Sequence, residues 1–399
     1  MRRDRPIPLL GLVAAALLLA PLASGEEGAG DGGPWRHDPR AGGERFPIAV
    51  WLQSPDRAEQ YKRAGFNLFV GLWKGPTEEQ LAALRRAGMQ VICSQNEVGL
   101  RHRNDPTIVG WMHQDEPDNA QARKDGDGYD PPITPAEIVE GYERMRQADP
   151  TRPILLNLGQ GVAWDGWKGR GTRTNHPEDY PGYVQGADLV SFDIYPVVHR
   201  SPDVSGNITF IGRGIDRLRD WTEGRKHVWN CIECTRIKNP EVKPSPAQVR
   251  AEVWLSLIHG SQGLIYFVHE WEPGFNEKAL LDDPVMLAAV TTTNREIHAL
   301  ARVINSEVLP DAATVTAPVD GEPIHITVRS HGGHHHVLTV NTLPTEVKAR
   351  ISLSRAPPAS LRVQVLGEQR SLRAQGGSFE DTFAPWEVHL YRARLPRSR

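Results

Sequence analysis

The sequence contains few cysteines and no excess of basic charge. Its three cysteines, Cys93, Cys231 and Cys234, are an odd number among 399 residues and cannot form a full disulfide framework. Cys231 and Cys234 are spaced as a Cys-x-x-Cys motif, but they lie on a predicted buried strand without a second pair. This context favours small buried side chains over a zinc or redox motif. A net charge of −3 gives no argument for a nucleic-acid partner.

Long apolar runs are absent apart from one at the N-terminus. Residues 9–22 are apolar, follow a charged segment at residues 1–5, and precede the small residues Ala23, Ser24 and Gly25. This order is typical of a secretory signal peptide and predicts cleavage before Glu26. An uncleaved anchor is the alternative, although the run is short for a membrane span. We therefore expect a signal peptide at residues 1–25 and a secreted or periplasmic protein that has no membrane contact after cleavage.

Residues 26–44 are rich in Gly, Glu and Asp, and they are predicted to be a flexible N-terminal segment. From residue 45 to residue 307, short apolar runs alternate with amphipathic helical patterns in eight successive units. This alternation requires a parallel sheet, and eight units predict a closed (β/α)8 TIM barrel. An open doubly wound sheet is the alternative, but the segment from Trp51 to Ser54 is not the glycine-rich phosphate turn usual there.

From residue 308 to residue 399 the pattern changes to short alternating segments separated by turn residues, which predicts a small all-β domain, a sandwich. The histidine-rich segment from His331 to His336 lies at a predicted hairpin turn in this domain. No carboxylate or cysteine accompanies it, so an incidental turn is favoured over a metal site. We predict neither a metal nor a cofactor.

Two of the predicted barrel strands end on a carboxylate. Residues 108–118 form an apolar run that ends in Asp115-Glu116-Pro117, and the proline must end the strand because it cannot donate to a sheet ladder. Residues 227–233 form a second apolar run, which ends at Glu233. The carboxyl ends of barrel strands carry the active sites of this fold. Two such carboxylates predict cleavage of a glycosidic bond, in which one protonates the leaving oxygen and the other attacks the anomeric carbon from about 5 to 5.5 Å away.

These motifs resemble the superfamily of retaining glycoside hydrolases on (β/α)8 barrels known as clan A. In that clan the acid/base ends strand four in Asn-Glu-Pro and the nucleophile ends strand seven, and the matching residues here are Glu116 and Glu233. The resemblance covers roughly residues 45 to 305, and the C-terminal sandwich is similar to one that follows many such barrels. It implies an exported enzyme that hydrolyses O-glycosidic bonds of a poly- or oligosaccharide with retention. The motifs are too short to assign a family within the clan.

Asp115 departs from the clan pattern, which has asparagine at this position. An ionised Asp115 adds a third negative charge to the site, which disfavours acidic sugars. The alternative is that Asp115 turns aside and pairs with an arginine. This departure leaves the sugar unidentified and keeps open a second function, that of a non-catalytic carbohydrate-binding barrel.

Several further strand-end and loop residues are predicted to bind the carbohydrate. Tyr195 resembles the clan's tyrosine that orients the nucleophile, and Trp271 resembles its tryptophan beneath the −1 sugar. Packing inside the barrel is the alternative for Asn157 and Trp51, and a simple turn is the alternative for Tyr195. The complete set of predicted substrate-binding residues is Asp115, Asn157, Asp193, Tyr195, Trp271, Glu270, Trp164 and Trp51.

Overall fold

The structure is a computed structural model that describes residues 43–123, 126–167, 176–354 and 360–394. The predicted signal peptide and nearly all of the predicted flexible N-terminal segment lie outside these ranges. Within them, no helix is both long enough and apolar enough to cross a membrane.

A parallel sheet of nine strands forms the barrel. Strands β7 and β8 are two parts of one strand interrupted at Trp229, because β7 pairs with β6 and β8 pairs with β9. The sheet therefore closes as an eight-stranded barrel, and the predicted TIM barrel is confirmed. The strands are β1 Ile48–Trp51, β2 Leu68–Val70, β3 Gln90–Ser94, β4 Ile108–Met112, β5 Ile154–Leu158, β6 Leu189–Phe192, β7 His227–Val228, β8 Asn230–Glu233 and β9 Leu264–Phe267.

The helices follow the barrel strands, and several begin at a threonine or serine that caps the first turn. Thr77, Thr134 and Ser245 each accept a hydrogen bond from the backbone of the third helical residue, and a side chain at that position returns a bond to the cap. The helices are α1 Ala58–Arg63, α2 Glu78–Ala87, α3 Glu97–Arg101, α4 Pro135–Ala148, α5 Tyr180–Tyr183, α6 Thr209–Trp221, α7 Pro246–Ile258 and α8 Pro284–Ile304.

Apolar side chains fill both sides of the barrel sheet. One cluster lies inside the barrel and includes Val70, Ile92 and Leu155, and a larger cluster lies between the sheet and the surrounding helices. Because both faces of the strands are covered, the strands are apolar over nearly their whole length. Polar side chains of the barrel are therefore concentrated where the strands end.

The C-terminal strands form the predicted antiparallel β-sandwich, with one sheet of six strands and one of three. Its main apolar cluster lies between these sheets, whereas Leu338 and Val340 of β13 join the cluster beneath the barrel helices. The strands are β10 Glu307–Val308, β11 Ala313–Thr316, β12 Ile324–His331, β13 His334–Asn341, β14 Val347–Leu353, β15 Leu361–Val365, β16 Arg370–Ala374, β17 Ser378–Phe383 and β18 Val388–Ala393.

Gly332 and Gly333 join β12 to β13 with φ angles of 58° and 75°, which glycine adopts without a steric penalty. His331 and His334 are direct cross-strand partners beside this turn. In the described part of the chain, no group of three or more His, Cys, Asp or Glu side chains is arranged to hold a metal ion.

Candidate active site

A cleft with a volume of about 520 Å³ opens beyond the carboxyl ends of the barrel strands. Apart from Glu272, three carboxyl groups line it, those of Asp115, Glu116 and Asp193, which follow β4 and β6. Several aromatic rings and polar side chains complete the wall. This combination of concave shape, apolar rings and a few convergent polar groups is typical of a small-molecule site. The other lining residues are Asn119, Gln160, Trp167, Ile194, Tyr195, Val198, His199, Arg200, Ile237, Lys238, Phe267, Trp271 and Glu272.

The backbone at Glu116 holds an uncommon conformation. Glu116 has a φ angle of 44°, in the left-handed region, and its N–H donates to the carbonyl of Asn157 at 3.1 Å. Its Oε2 accepts a hydrogen bond from Asn119 Nδ2 at 3.1 Å. A Cβ added at Gly159 would lie 3.1 Å from Glu116 Oε1, so glycine leaves room for the carboxylate there. Such backbone strain in a cleft is typical of positions where function requires a fixed side chain.

The carboxyl group of Asp193 lines the cleft together with that of Glu116. The backbone N–H of Asp193 donates to the carbonyl of Leu158 at 3.0 Å, which fixes the residue beside the end of β5. Burial, followed by the negative charge of Glu116 and then of Asp115, raises the pKa of Asp193 well above its ordinary value. Both effects favour the protonated form of the Asp193 carboxyl group over the ionised form.

Asp115 also lines the cleft, and Asn157 holds its carboxyl group by a hydrogen bond. The Nδ2 of Asn157 donates to Asp115 Oδ1 at 2.9 Å, and the Oδ1 of Asn157 accepts from the Ser191 hydroxyl at 2.7 Å. The surrounding protein atoms and the charge of Glu116 raise the pKa of Asp115 to about 7. Water still reaches this side chain from the cleft. Of the two orientations left open by the sequence, Asp115 adopts the one that faces the cleft.

Asp118 is a fourth carboxyl group of this region, and the sequence reasoning missed it. Its oxygens accept hydrogen bonds from the Gly159 N–H at 2.9 and 3.0 Å and from the Tyr180 hydroxyl at 2.9 Å. Burial and the charge of Glu116 raise its pKa to about 7. The available signal was its position two residues after Glu116, directly after Pro117.

Glu233 lies behind the wall of the cleft and does not line it. Its Oε1 accepts from the Val197 N–H at 2.6 Å and its Oε2 from the Val198 N–H at 3.0 Å. Its side chain is 1% exposed and adjoins Glu252 of α7. Burial raises the pKa of Glu233 to about 7. Val198 itself lines the cleft, so this segment separates Glu233 from Glu116, and the structure does not bring the two glutamates into one cleft.

Two of the predicted aromatic residues lie in the cleft. Tyr195 lines it, with its ring centroid 5.3 Å from that of Phe267. Trp271 also lines the cleft and is 39% exposed, which leaves its ring open to a ligand. Trp271 comes four residues after the end of β9, whereas the sequence placed it at the strand end.

The structure places the remaining predicted residues outside this cleft. Trp51 is 7% exposed and belongs to the cluster inside the barrel. Glu270 lies 3.5 Å from Arg236 and lines a neighbouring surface pocket. Trp164 packs edge-on against His199 at 5.2 Å and lines a smaller pocket that includes Asp118. The loop tryptophan that reaches the main cleft is Trp167.

Comparison with known proteins gives information about the fold alone. No family model matches the chain, and no curated protein matches it. Among solved structures, a variant of AmyP in complex with maltotriose has a TM-score of 0.56 at 10% identity, over 89% of this chain and 98% of that chain. Alpha-galactosidase I from Mortierella vinacea has a TM-score of 0.53 at 10% identity, over 89% and 99% of the two chains.

A putative alpha-galactosidase from Bacteroides fragilis has a TM-score of 0.52 at 11% identity, over 88% of this chain and 79% of that chain. In all three cases the likeness extends over most of both chains, so it includes the β-sandwich as well as the barrel. The protein thus shares its fold, a TIM barrel followed by a β-sandwich, with these solved structures.

Proposed function

We propose that this protein is a glycoside hydrolase that cleaves O-glycosidic bonds of an oligo- or polysaccharide in the cleft beyond β4 and β6. The observation that carries the proposal is that the carboxyl groups of Asp115, Glu116 and Asp193 line one cleft beyond the barrel strands. Two carboxyl groups, one protonated and one ionised, are the chemical requirement for this reaction. The similarity in fold to an alpha-galactosidase and to a protein bound to maltotriose supports a carbohydrate ligand.

In this proposal, Asp193 is the general acid/base and Glu116 is the nucleophile. The pKa of Asp193 is raised well above its ordinary value, as a general acid requires. Asp193 thus replaces Glu233 as the second carboxyl group of the pair, since Glu233 lies behind the cleft wall with both oxygens bonded to backbone N–H groups. Because Asp193 takes the acid/base role, Glu116 takes the role of nucleophile instead of the acid/base role predicted from the sequence.

The reaction then follows two balanced steps. Asp193 transfers its proton to the glycosidic oxygen as that C–O bond breaks, and Glu116 Oε forms a bond to the anomeric carbon. In the second step Asp193 removes a proton from water, the water oxygen attacks the anomeric carbon, and the bond to Glu116 breaks. Retention requires roughly 5 to 5.5 Å between the two carboxyl groups, whereas inversion requires roughly 6.5 to 9.5 Å for an intervening water, so the adjacent positions of Asp193 and Glu116 support the mechanism with the shorter separation.

Asp115 and Trp271 would position the sugar in this scheme. Asp115 has one oxygen occupied by Asn157, and the other is available to accept from a sugar hydroxyl. Trp271 offers an exposed indole face at the edge of the same cleft, on which the apolar face of a sugar ring packs.

The test is a screen of p-nitrophenyl α- and β-glycosides and soluble polysaccharides with the wild-type protein, Glu116→Gln and Asp193→Asn. The matched control is Glu79→Gln, which removes an exposed carboxylate from α2. We expect turnover by the wild type and the control, and a loss of about 10³-fold or more in Glu116→Gln. NMR of the first product formed should show the anomeric configuration of the substrate.

Carbohydrate binding without turnover of any substrate would replace this proposal with the non-catalytic barrel. Turnover that survives in both Glu116→Gln and Asp193→Asn would exclude this carboxyl pair as the catalytic one. An inverted product would keep the hydrolase and replace the covalent step with attack by water.

We also propose that the protein is exported by the signal peptide predicted at residues 1–25, which lie outside the described part of the chain. N-terminal sequencing of the protein recovered from the periplasm or medium should give Glu26 as the first residue. Retention of residues 1–25 in the mature protein would contradict cleavage there.

A further inference from the structure

Three exposed aromatic side chains follow one another along the rim of the barrel beside the cleft. Trp73, which follows β2, is 41% exposed, whereas Trp271 and Phe275, which follow β9, are 39% and 52% exposed. Strands β2, β1 and β9 are neighbours in the sheet, so the segments that follow them lie side by side. We call these three side chains the aromatic ridge.

The ridge is continuous with the cleft. The ring centroids of Trp271 and Phe275 are 4.7 Å apart. The buried ring of His269 links them to Trp73. Its ring centroid lies 5.8 Å from that of Phe275 and 6.0 Å from that of Trp73, and the planes of the His269 and Trp73 rings differ by 30°. Because Trp271 also lines the cleft, the ridge begins at the candidate active site and runs outward along the rim.

Hydrogen bonds hold Trp73 in this exposed position. Its Nε1 donates to Glu277 Oε1 at 3.0 Å, and the same carboxylate accepts from the Ser54 N–H at 3.0 Å and pairs with Arg57 at 2.5 Å. The polar atom of the indole is thus bonded within the protein. A fixed apolar ring face in water costs free energy unless a ligand covers it, and contiguous exposed rings mark binding surfaces.

We propose that the aromatic ridge binds sugar units of a carbohydrate chain beyond the unit that occupies the cleft, so that the protein prefers chains over single sugars. This inference rests on the proposed function. Sugar rings present flat apolar faces that pack on aromatic rings, while their hydroxyl edges stay in water. A chain that leaves the cleft past Trp271 meets Phe275 and then Trp73, and this continuity favours a carbohydrate chain as the occupant.

The experiment measures binding of the full-length protein to soluble starch, galactomannan, xylan and mixed-linkage β-glucan by affinity electrophoresis. The variants are Trp73→Leu and Phe275→Leu, which remove a ring but keep apolar volume, and Phe275→Tyr, which keeps the ring. The control is Val319→Ala, at another exposed apolar side chain, in the sandwich. We expect at least one polymer to retard the wild type and the control. The dissociation constant should be at least fivefold higher in both leucine variants and close to the wild-type value in Phe275→Tyr.

Failure of the ridge and failure of the proposed function give different results. If the wild type hydrolyses p-nitrophenyl glycosides but the leucine variants bind polymers as the wild type does, the ridge proposal is overturned and the hydrolase stands. If the wild type hydrolyses nothing while the leucine variants lose polymer binding, the ridge stands and the hydrolase falls.

Two further outcomes overturn the ridge as a carbohydrate surface. One is that none of the four polymers retards the wild type. The other is a wild-type dimer in light scattering that both leucine variants convert to a monomer without any effect on polymer binding, which would identify a second copy of the chain as the occupant.

Discussion

Asp193 and Glu116 line one cleft, although they follow different strands of the barrel, β6 and β4. The largest charge effects on the Asp193 carboxyl group come from two other carboxylates, those of Glu116 and Asp115. Their negative charge and burial raise the pKa of Asp193 well above its ordinary value. This relation places a carboxyl group with the raised pKa of an acid close to a second carboxyl group in the cleft.

We expect the Asp193→Asn variant to lose activity in proportion to the basicity of the leaving group. The amide that replaces the carboxyl group has no acidic proton to transfer, and a poor leaving group depends on protonation whereas 2,4-dinitrophenolate does not. The loss in kcat/KM should be about 10² to 10⁴-fold for an alkyl glycoside and less than about tenfold for a dinitrophenyl glycoside of the same sugar. A uniform loss across both leaving groups would contradict the role of Asp193 as the acid.

Glu233→Gln should retain most of the activity that Glu116→Gln loses. Glutamine keeps an oxygen that accepts from one of the Val197 and Val198 N–H groups, and it lies behind the cleft wall rather than against the sugar. We expect a decrease in kcat below about tenfold, compared with about 10³-fold or more for Glu116→Gln. Circular dichroism would first establish that both variants are folded. An equal loss in the two folded variants would restore Glu233 as a catalytic candidate.

Stability should fall as the pH rises because of the buried pair Glu233 and Glu252. Burial raises the pKa of Glu233 from 4.5 to about 7 and the pKa of Glu252 well above its ordinary value, so the folded protein binds more protons than the unfolded chain. This stabilisation is complete below about pH 4.5 and decreases as the pH rises toward 7 and beyond.

Glu252→Gln removes one of these two proton-linked groups. Urea unfolding between pH 5 and 8 should therefore show a weaker pH dependence than in the wild type, with the variant more stable by about 1 to 3 kcal/mol at the upper end. Glu79→Gln, at an exposed site, should leave the wild-type curve unchanged. Parallel curves for the wild type and Glu252→Gln would contradict the proton linkage.

Asn157→Ala should destabilise the protein more than Ser191→Ala. Asn157 is buried and joins Asp115 to Ser191, so its removal leaves the Asp115 carboxyl and the Ser191 hydroxyl without this partner. The expected cost is about 1 to 3 kcal/mol in the free energy of unfolding. Ser191→Ala removes only one of the two hydrogen bonds and is the matched control. Equal losses in the two variants would mean that the bond to Asp115 contributes nothing.

The sequence alone was sufficient to predict much of the barrel. The alternation of apolar runs with amphipathic segments is a local property, and Thr77, Thr134 and Ser245 cap helices through bonds that span only three residues. The same reasoning placed Glu116 at a strand end because Pro117 cannot continue a strand, whereas β4 ends four residues before Glu116, at Met112.

Only the tertiary structure decided which strand-end carboxylates share a cleft. A sequence determines where a strand stops, but the direction of the side chain just beyond it depends on backbone angles and on partners far along the chain. Glu233 turned toward the N–H groups of Val197 and Val198 and toward Glu252, whereas Asp193 turned toward Glu116. Burial and neighbouring charge at those final positions raise the pKa of Asp193 and of Glu233, which no local sequence pattern could indicate.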